Sequence, residues 1–300
     1  MSVPLPADFT ARTVDADGTA IHCVTAGDGP PLLLLHGYPQ THLIWHEVAP
    51  WLAERFTVVL TDLRGYGDSA KPAPGPEDAE YSKRAMAADQ LAVMRQLGFT
   101  EFGVAGHDRG GRVAHRLTLD HPEAVTRLAV LDIVPTRHTF ANADKDFGLG
   151  YFHWFFLAAG DGIPERLIGN DPEFWIRARM TARHHGGDPF DEAAIAEYVR
   201  CFRDPAAIAA SCADYRAAAG IDLTHDHADA GRLIEVPLLA LWGQDSFVGR
   251  SYDVPAVWRE YAREVTGQAL PSDHYLPEEA PAETAAALAE FFSRPPARRC

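Results

Sequence analysis

Gly106-His107-Asp108-Arg109-Gly110-Gly111 sets a carboxylate between glycines, directly after the apolar run Phe102 to Ala105 and ahead of a helical stretch. A Gly-x-nucleophile-x-Gly segment at a strand-to-helix corner lifts its central side chain above the edge of a sheet. Glycines flank it because larger side chains would collide in so tight a turn. Serine usually occupies the centre; here it is Asp108. A carboxylate at that corner attacks a saturated carbon and forms an alkyl ester. The chemistry then points away from ester cleavage, towards dehalogenation or epoxide opening. The plainer reading of Asp108 is an acidic cap on a helix.

An alkyl ester on Asp108 must be hydrolysed, so a general base has to activate water. Of the 14 histidines, His274 stands in Ser272-Asp273-His274-Tyr275-Leu276-Pro277-Glu278-Glu279, after the last strand candidate and before the final helical stretch. That address fits the chain order nucleophile, acid, histidine. Two acids could orient His274. Asp132 ends the apolar run from Leu128, and Asp245 follows Leu238 to Gly243. Chain order and the resemblance given below favour Asp132, and Asp245 reads equally as a turn residue. His36-Gly37-Tyr38-Pro39 follows Leu32 to Leu35. The backbone N–H groups of Tyr38 and Arg109 are expected to form an oxyanion hole, with His36 as a packed residue shaping the loop.

Arg109 and Arg112 are three residues apart, so both fall on one face of the helix start. Cations beside a buried active site need partners, and a guanidinium fork grips a carboxylate in a bidentate manner. The pair predicts an anionic substrate held against a nucleophile that is itself negative. The alternative is that one arginine makes a structural ion pair.

These groups require a scaffold. Short apolar runs at Leu32–Leu35, Val58–Leu60, Phe102–Ala105, Leu128–Ile133 and Leu238–Trp242 read as buried strands, with helical stretches such as Met86–Leu97 and Val113–Leu119 between them. The alternation predicts an α/β protein with a mostly parallel sheet and helices on both faces. Ala11–Val14 and Ala20–Thr25 around Asp17-Gly18 predict a hairpin. From Pro135 to about Ala230 no strand-like run occurs, and aromatic-rich helical stretches take over. That length is too great for a loop. The expected organisation is core over 1–134, helical cap over 135–230 and core again over 231–300.

With 42 acidic against 27 basic residues the net charge is −15, which argues against nucleic acid and anionic membranes as partners. No apolar run reaches membrane-spanning length, and the N-terminus lacks the pattern of a signal peptide. The scattered Cys23, Cys201, Cys212 and Cys300 form no CxxC pair or zinc spacing. A cytoplasmic location is therefore expected.

The sequence resembles the fluoroacetate (haloacetate) dehalogenases, a family of the α/β-hydrolase fold. The resemblance runs from Leu32 to about Pro281. It is carried by His36-Gly-Tyr-Pro-Gln-Thr41, Asp62-Leu-Arg-Gly-Tyr-Gly-Asp-Ser69, Gly106-His-Asp-Arg-Gly-Gly-Arg112, Leu131-Asp-Ile-Val-Pro-Thr136 and His274-Tyr-Leu-Pro-Glu-Glu-Ala-Pro281. It implies Asp108 as nucleophile, Asp132 and His274 as its partners, and Arg109 with Arg112 on the substrate carboxylate. In the cap, His153, Trp154 and Tyr215 match the positions that hold the departing halide. The implied reaction converts a small 2-haloacid such as fluoroacetate to glycolate and halide through an aspartyl ester, with no metal or organic cofactor, in a possible homodimer. Arg137 stands where the resemblance would place an aromatic pocket-liner, and the 181–185 stretch with Arg183 lacks a tryptophan often seen there. Alternatives are an epoxide hydrolase or haloalkane dehalogenase of the same fold, or a non-catalytic binding protein. In an epoxide hydrolase, Tyr215 and Tyr151 would supply acidic hydroxyls.

Overall fold

A computed structural model describes residues 5–6, 8–181 and 189–294. Arg183 with the rest of 182–188, and the 295–300 tail with Cys300, lie outside the described residues. Eight strands form one sheet: β1 (Thr10–Ala16), β2 (Thr19–Ala26), β3 (Pro31–Leu35), β4 (Thr57–Thr61), β5 (Phe102–His107), β6 (Val125–Leu131), β7 (Leu238–Gly243) and β8 (Val265–Leu270). Their order is β1-β2-β4-β3-β5-β6-β7-β8. The β1–β2 and β2–β4 pairs are antiparallel, and the others are parallel. The hairpin expected at Asp17-Gly18 joins β1 to β2, with both turn residues at positive φ (50° and 95°).

The continuous apolar runs follow from burial on both faces of the sheet. Successive side chains of a strand point to opposite sides. Leu33, Leu35, Val59 and Val104 therefore pack with Met86, Leu91, Val113 and Leu117 of the helices Lys83–Gln96 and Asp108–Asp120. Leu32, Leu34, Val58, Leu60 and Ala105 pack the opposite face with Trp45, Leu52, Leu288 and Phe291.

Between β6 and β7 the described residues form eight helices, from Thr136–Ala141 to Ile221–Ala228, and no strand. Their buried Phe147, Trp154, Tyr198 and Tyr215 belong to the same apolar cluster as Val104 and Val130 of the sheet. Cap and sheet thus share one core, and removing the cap would expose it. Among the described residues no helix is long and apolar enough to cross a membrane. Cys23, Cys201 and Cys212 are buried free thiols.

Candidate active site

In an open parallel sheet, ligands bind outside the carboxyl ends of the strands. Here the loop after β3, the corner after β5, Asp132 after β6 and the loop after β8 all lie at that edge. Asp108 has φ of 45°, a left-handed conformation at the strand-to-helix corner. The glycines explain themselves sterically. A Cβ on Gly106 would lie 2.4 Å from the Gly110 carbonyl oxygen, and one on Gly110 would lie 2.3 Å from that of His36. Gly37 is as constrained: its Cβ would lie 2.6 Å from Asp108 Cβ. Only a bare backbone lets the loop after β3 close on Asp108.

That closure delivers a donor. The Tyr38 N–H donates to Asp108 Oδ2 at 3.0 Å. His36 does not face the chemistry. Its Nε2 accepts from the Leu63 N–H at 3.0 Å, so its Nδ1–H donates to Gly37 O at 2.8 Å and fixes the loop.

His274 Nδ1 and Asp132 Oδ2 are 2.6 Å apart. The second Asp132 oxygen accepts from the Gly243 N–H at 3.1 Å, and Asp132 itself sits at φ of 51°. An ionised Asp132 can only accept, which leaves the Nε2 lone pair of His274 for water. Asp245 instead lies in a turn, its N–H donating to Ser272 O at 3.1 Å and its side chain 3.4 Å from Gln244 Nε2.

Two side chains without an assigned role in the motifs hold this histidine. The buried His107 Nε2–H donates to His274 O at 2.7 Å. Glu279 accepts from the N–H groups of Asp273 (2.6 Å) and Tyr275 (2.8 Å), on either side of His274. Burial pushes His107 down to about 4, so it stays neutral as a brace. Asp108 behaves oppositely. Burial works to raise its carboxyl, yet the basic groups around it, His274 first and then the neighbouring arginines, hold it below the ordinary value.

Both arginines are buried, at 0% and 5% exposure. Arg109 is paired within the protein: Nε donates to Asp214 Oδ2 at 3.0 Å, and Nη2 donates to Oδ1 at 2.5 Å and to the Asp214 carbonyl at 2.8 Å. Asp214 also accepts from Tyr66 OH at 2.7 Å and from the buried Lys83 ammonium. These cations overcome the burial of Asp214 and drive its carboxyl well below the usual range. A structural ion pair is thus present, but it engages only part of the fork. Arg109 Nη1 has no acceptor among the described residues. Arg112 donates from Nη1 to Val134 O and Thr136 Oγ1, both at 3.0 Å, while its buried Nε has none. Burial, then repulsion from Arg109, lowers Arg112 to about 10, so it remains cationic at neutral pH.

The cap closes over these cations. The Arg109 guanidinium carbon lies 4.1 Å from the Tyr215 ring centre, and that of Arg112 lies 4.5 Å from Trp154. His153 and Trp154 have their ring centres 5.8 and 6.0 Å from that of Tyr215, so the three side chains expected at the halide lie side by side. Trp154 also packs against Phe140 and Phe147. The buried Tyr215 hydroxyl has no partner among the described residues. Arg137 departs from the pocket-wall position implied by the resemblance. It lies over Tyr261 and lines a surface cleft with His115, Asp226 and Glu260. His22, His42 and Asp62 bring ligand-type atoms within 4.8 Å of one another. Both Asp62 oxygens there accept backbone N–H groups, of His42 (2.8 Å) and Asp68 (2.9 Å), which accounts for the cluster as a brace for the loop after β4.

Residues 30–281 match the alpha/beta hydrolase fold family. Fluoroacetate dehalogenase of Burkholderia sp is 45% identical over 286 residues, covering 95% of this chain and 94% of the relative. Soluble epoxide hydrolase of Corynebacterium sp. (strain C12) is 36% identical, covering 95% and 98%. Among solved structures, the alpha/beta hydrolase ALR0039 of Nostoc sp PCC 7120 superposes with a TM-score of 0.95 at 53% identity, covering 96% of this chain and 99% of that one. The chain belongs to the α/β-hydrolase fold family, as a hydrolase related to the fluoroacetate dehalogenases.

Proposed function

We propose that the protein removes halide from small 2-haloacids of the haloacetate type through a covalent ester on Asp108. One observation carries the reading: beside the ionised Asp108, two buried guanidinium groups each keep an N–H without an acceptor among the described residues, Arg109 Nη1 and Arg112 Nε. A buried donor left unsatisfied costs about 1–3 kcal/mol. A substrate carboxylate would satisfy both donors at once and offset the repulsion between the two negative partners.

Oδ2 of Asp108 is engaged by the Tyr38 N–H, which leaves Oδ1 for attack. Oδ1 displaces the halide from the α-carbon: the new C–O bond forms as the carbon–halogen electron pair leaves with the halide. His153, Trp154 and Tyr215 would donate to the departing ion as its charge develops. His274, oriented by Asp132, then takes a proton from water, whose oxygen adds to the Asp108 carbonyl carbon. Charge arises on Oδ2, already faced by Tyr38 N–H. Collapse expels the hydroxyacid, which takes its proton back from His274. Each turnover consumes one water and releases one halide and one proton.

A second reading rests on the buried Tyr215 hydroxyl, which could protonate an epoxide oxygen while Asp108 attacks the ring. One panel separates the two: fluoro-, chloro- and bromoacetate against styrene oxide, with wild type and Arg112→Met. The dehalogenase account expects halide release from the acids, no diol from the epoxide, and a KM for the acids at least about tenfold higher in the variant. Diol formation without halide release would replace it with the epoxide account.

A further inference from the structure

We infer that Arg179 is a positioning residue that fixes His153 as a neutral imidazole carrying its proton on Nε2. The consequence for catalysis rests on the haloacid reading; the placement of the proton does not. Arg179 lies in the helix Pro172–Thr181 and His153 opens the helix His153–Leu157. Both side chains are buried, at 8% and 6% exposure, and Arg179 Nη2 lies 3.0 Å from His153 Nδ1. A guanidinium has five donors and no acceptor, and it does not deprotonate in proteins. The bond therefore exists only if Nδ1 offers its lone pair. The single proton of a neutral ring then sits on Nε2. A second proton would abolish the bond and set one buried cation against another.

The arrangement also acts on the strength of the remaining donor. Linked hydrogen bonds polarise one another, so a cation donating into Nδ1 makes Nε2–H a better donor. The ring stands against Tyr151 (5.3 Å between centres) and Tyr215 (5.8 Å), and Trp154 is its chain neighbour. Tyr215 and Trp154 are the side chains assigned above, with His153 itself, to the leaving halide. Fluoride concentrates its charge most and needs such assistance most; bromide needs it least. Arg179 holds its place by packing over Phe152, with the guanidinium carbon 5.6 Å from that ring centre.

The test has two parts. Imidazole nitrogen shifts of His153 in the wild type, assigned with His153→Gln, should report the Nε2–H tautomer at neutral pH. In Arg179→Met that resonance should shift to a mixture of tautomers, and in Arg179→Lys, which keeps a cationic donor, it should return. In a single turnover, Arg179→Met should slow fluoride release by roughly tenfold to a hundredfold, the range of one hydrogen bond to a charged group. Bromide release should change far less, and Arg179→Lys should recover much of the loss. A wild-type proton on Nδ1 overturns the inference, as does an equal slowing of fluoride and bromide release. If the wild type released no halide at all, the haloacid reading would fall while the tautomer measurement still decided the role of Arg179. Should the Met variant not fold, the wild-type tautomer and the Lys variant still decide.

Discussion

The Tyr38 N–H points at Asp108 Oδ2 from 3.0 Å, so the donor that would stabilise the hydrolytic intermediate is already docked on the resting nucleophile. In the proposed reaction, the oxygen it holds is the one that gains charge when water attacks the ester. The contact depends on a residue with no side chain, because Gly37 brings its backbone against Asp108 and His107. In the proposed reaction, nucleophile orientation and oxyanion stabilisation would therefore come from a single loop.

Gly37→Ala tests that dependence. The added Cβ would meet Asp108 Cβ at 2.6 Å and His107 Nδ1 at 2.8 Å, forcing the loop back. Losing one oxyanion donor lowers turnover by about a hundred- to a thousandfold. Halide release should fall by that order while the far-ultraviolet dichroism spectrum stays native. Unchanged turnover would show that the Tyr38 contact is incidental.

Asp214 carries Arg109, Lys83 and Tyr66 on one buried carboxylate. Removing one partner of a buried charge network costs about 3–5 kcal/mol, because the others are left uncompensated. Asp214→Asn should lower the denaturant midpoint accordingly. In the folded fraction, KM for haloacids should rise more than kcat falls, since Arg109 loses its orientation. A stable variant with an unaltered KM would contradict the assignment.

Glu278 is buried between Tyr198 OH (2.8 Å) and Gln40, joining the cap to the core near His274. Burial raises its carboxyl well above the ordinary value despite those two donors. The folded chain thus holds this proton more tightly than the unfolded chain does. Its contribution is fully present below the unfolded value of about 4.3 and is lost as pH rises through the folded one. Glu278→Gln should flatten this decline, so its stability relative to wild type should grow as pH rises above about 4. Parallel stability curves would place the raised value elsewhere.

The sheet and the residues gathered at its carboxyl edge were legible because their signals are local. Apolar runs mark strands buried on both faces, and Asp108, Asp132 and His274 each stand just beyond such a run or beside a helix start. Strand β8 was not legible: Val265-Thr-Gly-Gln-Ala-Leu270 is an edge strand with its middle four residues exposed, so it lacks an apolar run. Partner identity was hidden for a different reason. Asp214 is 105 positions from Arg109, and Lys83 is 131 from Asp214. Nothing near Lys83 in the chain distinguishes it from a solvated lysine. The contact between Arg179 and His153, 26 positions apart, likewise arises only when the helices pack. Arg137 shows the converse, where matching a position could not tell which way the side chain turns.

The most direct trial of the central claim is to stop the reaction at the ester. His274→Asn, incubated with fluoroacetate and digested, should yield the peptide bearing Asp108 heavier by one carboxymethyl group, with one fluoride released per chain. An unmodified Asp108 in that variant, alongside a wild type that releases fluoride, would contradict the covalent account.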